Sequence, residues 1–219
     1  MTDIREVSMS AILASLFVVL NTLPFSSYIG GPAFITAAVI MIPLMAWILS
    51  PKWAFVSGLA GGAVGVALMM GPGTIMGPYA VLIPAVAAGL GSIAFHSENA
   101  LALLPPAVLI GELFFYLWFY KGQATSLWGI HYIVATTVFL LGLVDKRLRI
   151  FGAIAISTML ENAMLNIGSL LIVGLPAALW TIILPASIME RTLAAVISLV
   201  VIVGVDKSKV LDRIGWKKK

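Results

Sequence analysis

The chain contains no cysteine, and only 10% of its 219 residues are charged. Without cysteine there can be no disulfide framework and no thiol chemistry. The scarcity of charge argues against a soluble domain, in which about 25% of residues are charged. The sequence also lacks a glycine-rich loop ending in Lys and Ser or Thr, and it has no soluble basic module. We therefore expect the chain itself to bind neither ATP nor nucleic acid.

Signatures of catalysis and of metal binding are missing as well. The two histidines, His96 and His131, have no acidic or histidine partner at the spacing of metal ligands. There is no Gly-x-Ser-x-Gly motif, and no pair of aspartates lies within an apolar segment. These absences predict a protein that is not an enzyme and that uses no metal and no cofactor.

What the sequence does contain is apolar residues, at 61% of the chain and a mean hydropathy of +1.10. They form eight stretches near the length of about 17–25 residues that a membrane-spanning helix needs. We predict an all-α, polytopic bundle that forms one integral membrane domain over residues 1–219. Six spans are the alternative, if two segments lie in the interface or re-enter the membrane. The segments are Val7–Leu23, Ala33–Leu49, Trp53–Met70, Pro78–Phe95, Ala100–Tyr120, Leu127–Val144, Ile150–Val173 and Pro185–Val205.

Lysine and arginine are distributed unevenly between the two ends of these segments. If the N terminus is cytoplasmic, eleven basic residues fall on the cytoplasmic side and only Lys121 falls outside. This bias predicts that both termini are cytoplasmic in a multi-pass protein of the cell membrane. The eleven are Arg5, Lys52, Lys146, Arg147, Arg149, Lys207, Lys209, Arg213, Lys217, Lys218 and Lys219.

Two connections are notable for their proline and glycine. Pro24–Pro32 is predicted to be a turn-rich loop. Gly174–Leu184 is apolar but broken by Pro176, so we expect an outer loop or a partial helix that folds over the bundle. Pro185 would then occupy the first turn of the last helix, where its missing N–H is tolerated.

Four charged residues lie clearly inside the apolar segments: Glu112, Glu161, Glu190 and Arg191. Charge in hydrocarbon costs at least a few kcal/mol and marks a candidate functional site. Arg191 is expected to pair with Glu161 or Glu112, and a structural ion pair and a ligand-binding charge are equally compatible with the pattern. Glu112 is a candidate proton or cation site, with a hydrogen bond to a neighbouring helix as the alternative.

A polar stripe accompanies Glu161 on the seventh segment. Thr158, Asn162, Asn166 and Ser169 follow at steps of four, four and three, which places them on one helical face. The stripe predicts either interhelical hydrogen bonds or a site for a polar substrate or ion.

Three aromatic residues, Tyr28, Tyr79 and Trp180, lie in or beside the outer loops. They fit an interfacial aromatic belt first and the stacking of a ring-containing ligand second.

Small residues recur four apart on two segments. Gly58 with Gly62, and Gly61 with Gly65, predict close helix packing on the third segment, with close approach to a ligand as the alternative. On the first segment the small residues favour internal packing or the docking of another membrane subunit. Those residues are Ser10, Ala11, Ala14 and Ser15.

Three segments together resemble one transporter family. They are Met9–Leu20, the run Ser50-Pro-Lys-Trp-Ala54 that leads into the glycine-rich helix, and Leu184–Arg191, which opens the last helix with its basic tail. The chain resembles the substrate-binding S components of energy-coupling factor transporters.

The resemblance implies a function, partners and a division of roles. S components bind a vitamin-like micronutrient beneath outer loops and dock onto a transmembrane coupling subunit that joins two cytoplasmic ATPases. Docking would use the small residues of the first segment. The loops Pro24–Pro32 and Gly71–Tyr79 would close over the substrate, with Gly174–Leu184 above Glu190. The expected substrate-binding residues are Tyr28, Tyr79, Glu161, Asn162, Asn166, Trp180, Glu190 and Arg191.

Two other classes of function stay open. A proton- or sodium-coupled carrier or channel would use Glu112, Glu161 and Glu190 as ion carriers. A structural subunit would need the polar residues for assembly and not for ligand binding. Three buried carboxyls against one arginine favour a cationic or neutral polar ligand, unless the carboxyls are protonated.

Overall fold

The computed structural model describes residues 4–28, 31–70, 73–121, 126–213 and 216; for residues 24–28, 31–35, 73–74 and 126 it describes the backbone alone. Within these ranges the chain forms ten helices and one two-stranded hairpin, where short 3-10 and π turns are counted with the helices they continue. The hairpin comprises β1 (Pro24–Tyr28) and β2 (Gly31–Thr36). The helices are α1 (Ile4–Asn21), α2 (Ala37–Ile48), α3 (Pro51–Ala67), α4 (Gly73–Met76), α5 (Gly77–His96), α6 (Ala100–Tyr120), α7 (Leu127–Val144), α8 (Arg149–Val173), α9 (Ala177–Ser208) and α10 (Val210–Arg213).

The bundle is helical, as the hydropathy predicts. In the described part of the chain, six helices are long and apolar enough to cross a membrane: α1, α5, α6, α7, α8 and α9. The shortest of them has 18 residues, which is about 27 Å at a rise of 1.5 Å per residue. The second and third predicted segments correspond to the shorter helices α2 and α3.

The connection after α1 differs from the turn-rich loop that its prolines and glycines suggested. β1 and β2 pair as an antiparallel hairpin with an irregular register, in which Pro24 lies opposite Thr36 and Tyr28 opposite Gly31. The prediction of an all-α fold is therefore wrong for this segment, which forms the one hairpin among the described residues. Residues 29–30 and 71–72, which belong to the two loops expected to cover a ligand, lie outside the described residues.

The last long helix begins earlier than predicted. α9 starts at Ala177, directly after Pro176, and continues through Pro185 to Ser208. Pro185 is therefore inside the helix and not in its first turn. Its missing N–H leaves the Thr181 carbonyl without the usual helical donor, a defect that membrane helices tolerate where neighbouring groups compensate.

The glycine-rich helix α3 packs between α1 and α5. A Cβ at Gly61 would lie 2.9 Å from the Phe17 ring of α1, and a Cβ at Gly62 would lie 2.9 Å from the Pro84 ring of α5. The two glycine pairs thus serve two different neighbours, and the absence of side chains allows both close approaches.

The small residues of α1 divide in the same way. Ser10 and Ala14 are buried against α3, where the Ser57 hydroxyl donates to the Ser10 carbonyl at 2.9 Å. Ala11 and Ser15 are exposed on the opposite side. Of these four residues, Ser10 and Ala14 therefore serve internal packing, and Ala11 and Ser15 remain exposed.

Candidate functional site

A buried ion pair joins helices α8 and α9. Arg191 of α9 donates from Nη1 to Glu161 Oε2 of α8 at 2.6 Å, and the same nitrogen lies 3.3 Å from the Thr158 carbonyl. Of the two partners that the sequence allowed for Arg191, the structure selects Glu161. Pairing lowers the cost of placing either charge in a low-dielectric interior.

A cavity opens beside this ion pair. Its empty volume is about 460 Å³ including the mouth, and it lies among α1, α2, α3, α5, α8 and α9, next to the hairpin. Only about 30 Å³ of this space can be occupied by the centre of a water molecule, so the cavity is smaller in this conformation than small-molecule sites, which are typically about 300–1,000 Å³. The polar lining residues are Asn21, Thr36, Glu161 and Arg191. The apolar lining residues include Phe17, Val39, Val66, Met70, Ile83 and Leu165.

Asn21 and Thr36 form a second polar point in the cavity wall. The Thr36 hydroxyl donates to Asn21 Oδ1 at 2.7 Å, which ties the end of α1 to the end of β2. Sequence reasoning missed both residues. The available signal was a single amide at the end of the apolar run that closes α1.

Glu190 lies deeper than Glu161. Its side chain is 1% exposed, and among the described residues neither carboxyl oxygen has a hydrogen-bond partner. It interacts electrostatically with both Arg191 and Glu161, so one guanidinium is shared by two carboxyls. The described lining of the cavity does not include Glu190, which makes it a supporting charge behind the wall.

The two amide side chains of the polar stripe, Asn162 and Asn166, contact neighbouring helices and not the cavity. Asn166 Nδ2 donates to the Tyr132 hydroxyl of α7, and Asn162 Nδ2 approaches the same oxygen at 3.3 Å. Asn162 Oδ1 accepts from the Ser187 hydroxyl of α9 at 3.2 Å. The described cavity lining includes neither amide. The structure therefore contains the interhelical hydrogen bonds that were one of the two predictions for the stripe.

Glu112 lies beside this amide cluster. It is 4% exposed and neighbours the Tyr132 hydroxyl, although in the described part of the chain no donor meets its oxygens at full hydrogen-bond geometry. Because Tyr132 accepts from two amides, its own proton remains available for Glu112. Glu112 therefore belongs to a polar cluster on α6, α7 and α8 that is separate from the cavity.

Two of the three aromatic candidates, Tyr79 and Trp180, take other roles. The Tyr79 hydroxyl donates to the Met164 carbonyl at 2.8 Å, which fixes the start of α5 against α8. Trp180 is fully buried and stacks edge-on against Trp128 at 4.7 Å between centroids, so it belongs to an aromatic core and not to an interfacial belt. Tyr28 lies in β1, and its side chain is outside the described part of the chain.

Removing the Tyr132 hydroxyl should measure the strength of the amide cluster. We expect Tyr132→Phe to lower the free energy of unfolding by about 1–2 kcal/mol, because two buried amides lose their acceptor. The matched control is Tyr116→Phe: Tyr116 is equally buried, and among the described residues its hydroxyl has no hydrogen-bond partner. Unfolding in detergent micelles should show no loss for the control, and equal losses for both variants would contradict the assignment.

No cluster of three or more metal-binding side chains occurs in the ranges that the structure describes. The chain matches no protein-family model, no curated protein and no solved structure.

Proposed function

We propose that the chain is the substrate-binding subunit of an ATP-driven micronutrient importer, similar to the S components that its sequence resembles. The single observation that carries this proposal is the lining of the cavity, because mostly apolar walls with a few convergent polar groups are typical of small-molecule sites. Glu161 and Arg191 at one wall and Asn21 at another supply those groups.

The proposed orientation places the cavity on the outer side of the cell membrane. The cavity lies where α1 ends and α5 begins, which is the outer end of the bundle if both termini are cytoplasmic. The opposite end carries the ion pair between Arg149 and Glu98 at 2.7 Å, consistent with the basic cytoplasmic side. In this arrangement α2 and α3 complete eight membrane segments.

The proposed partners are a transmembrane coupling subunit and its two ATPases. Ala11 and Ser15 are four residues apart on the exposed side of α1, so a second membrane protein could approach that helix closely. The flanking exposed residues Ile12 and Leu16 are apolar and compatible with either lipid or a protein partner.

The test is to purify the chain alone in detergent and to identify small molecules in the denatured extract by mass spectrometry. We expect a stoichiometric micronutrient-like compound that is lost in Asn21→Leu, because this change removes a polar group of the cavity wall and keeps its volume. Glu112→Gln is the matched control, since it alters a buried polar residue away from the cavity and should retain the compound. An empty and well-folded protein would contradict the proposal.

A second candidate, an ion-coupled carrier, is favoured by one observation. Glu112 and Glu190 are buried carboxyls whose oxygens have no hydrogen-bond partner within the described ranges, and such groups occur in proton and cation pathways. This candidate predicts uptake into proteoliposomes that follows a proton or sodium gradient without ATPases and that stops in Glu112→Gln.

A further inference from the structure

We infer that the basic surface at the end of α9 binds the head groups of anionic phospholipids. This surface consists of Lys207, Lys209 and Arg213, whose side chains are exposed. It begins about 24 Å along α9 from Arg191, at 1.5 Å per residue, so the inference does not depend on the proposed function. It is carried by the depth of these residues, by their charge and by the way the fold holds them in place.

The exposed face of α9 changes from apolar to basic near its end. α9 has 32 residues, which is about 48 Å and longer than a hydrocarbon core of about 30 Å. From Thr192 to Val205 it contains no charged residue. Val200 and Val203 are exposed on this stretch, as expected for a surface in contact with lipid tails. Lys207 follows one turn after Val203, where basic side chains meet the phospholipid head groups.

The charge of this end of the chain is strongly positive. Between Asp206 and Lys219 there are six basic and two acidic residues, a net side-chain charge of +4. Clusters of about four to eight basic residues directly after a membrane helix are typical of segments that bind anionic lipids. Lys217–Lys219 lie outside the described residues, so the structural argument is limited to the three basic residues that precede them.

The fold holds this surface against the bundle. Lys209 adopts a left-handed conformation with a φ of 52°, which ends α9, and α10 follows directly. Leu211 of α10 and Trp216 are buried in the main hydrophobic core, and the Trp216 amide donates to the Leu211 carbonyl at 2.8 Å. The end of a chain is usually well ordered only where it is tied down in this way. Two apolar anchors therefore fix the segment while its basic side chains stay exposed.

A role in membrane topology alone would not need this arrangement. The positive-inside bias depends on the number of basic residues near the ends of the spans and not on their structure. The occupant that the surface fits is an anionic phospholipid, because its charge is complementary and because the surface continues an apolar face of the same helix that is suited to lipid tails. An acidic surface of another protein is the alternative.

The experiment measures which lipid the whole chain retains. The chain, purified in detergent, is mixed with equal amounts of dioleoyl phosphatidylglycerol, which is anionic, and dioleoyl phosphatidylcholine, which is zwitterionic. After removal of excess lipid, the bound lipids are quantified by mass spectrometry. We expect the anionic lipid to be retained at least about ten-fold over the zwitterionic one. The preference should fall several-fold between about 0.1 M and 1 M salt, because the Debye length shortens from about 10 Å to about 3 Å.

Two charge-matched variants test whether this surface carries the preference. Each replaces three exposed basic residues by glutamine. The variant at the surface should reduce the preference to about three-fold or less, and the variant in other connections should keep the wild-type preference. The first changes Lys207, Lys209 and Arg213, and the second changes Lys52, Lys146 and Arg147.

The outcomes separate this surface from a general effect of charge. Loss of the preference in the first variant alone supports the inference. Equal losses in both variants, or no loss in the first, would overturn it. A wild type without preference for the anionic lipid would also overturn it and would leave an acidic protein surface as the partner. Both variants change only exposed side chains, so the Tm of each should match that of the wild type and show that the fold is retained.

Discussion

Arg191→Met should lower the free energy of unfolding by about 3–5 kcal/mol, because it leaves Glu161 buried without its cation. The two side chains are 4% and 11% exposed, and their charged atoms are 2.6 Å apart. Glu190 adds to the effect, since it also interacts with Arg191 and is even more deeply buried. The loss should appear in equilibrium unfolding in detergent micelles.

The double variant Arg191→Met with Glu161→Gln should recover the part of this loss that comes from Glu161, while the part that comes from Glu190 remains. Replacing both members of a buried pair removes the uncompensated charge, so the net contribution of the pair is smaller than the cost of breaking it. The matched control is Arg149→Met, which breaks the pair with Glu98 at a similar distance of 2.7 Å but with exposures of 22% and 76%. We expect this exposed pair to contribute no more than about 1 kcal/mol. Equal losses for Arg149→Met and Arg191→Met would contradict a special role of burial.

Gly58→Ala is expected to have the second largest effect, a loss of about 1–3 kcal/mol from overpacking between α3 and α5. The new Cβ would lie 2.6 Å from the Pro84 carbonyl carbon and 2.7 Å from the Ala85 backbone nitrogen. Backbone atoms cannot rotate away as a flexible side chain can, so the two helices must separate. Separation would also disturb the cavity wall, to which Pro84 contributes.

The controls for this prediction are Gly111→Ala on α6 and Gly204→Ala on α9. Nothing lies within 4 Å of a Cβ built at either position. In a helix, alanine is more favourable than glycine by up to about 1 kcal/mol, so both controls should be neutral or stabilising. If Gly58→Ala also stabilised the fold, the close packing of α3 and α5 would not be required.

The local sequence was sufficient to predict that the chain forms helices and which charged residues lie inside the apolar segments. Long apolar runs correctly predicted that the chain is mainly helical, because a backbone in hydrocarbon must satisfy its own hydrogen bonds and a helix does so locally. The four-residue spacing of glycines on α3 likewise predicted close packing, since that spacing is a property of one helix. The rarity of charge within the apolar segments likewise indicated Glu161 and Arg191 as candidate site residues.

The start of α9 and the hairpin could not be read in this way. Pro185 favours a helix start when considered locally, but packing of the fully buried Trp180 and of Ile183 keeps the preceding turns helical. The prolines and glycines around β1 and β2 suggest turns, while pairing between the two strands depends on where α1 and α2 place their ends.

The sequence by itself determined the helical character, the glycine-lined packing face and the identity of the buried charges. Only the tertiary structure decided which of those polar groups share a cavity. Glu161 and Asn162 are adjacent, yet about 100° of rotation separates them on α8, so one faces Arg191 and the cavity while the other faces Tyr132 and Ser187. A helical sequence fixes the angles between its own side chains. The rotation of that helix against its neighbours, and hence the partner of each side chain, is fixed by packing alone.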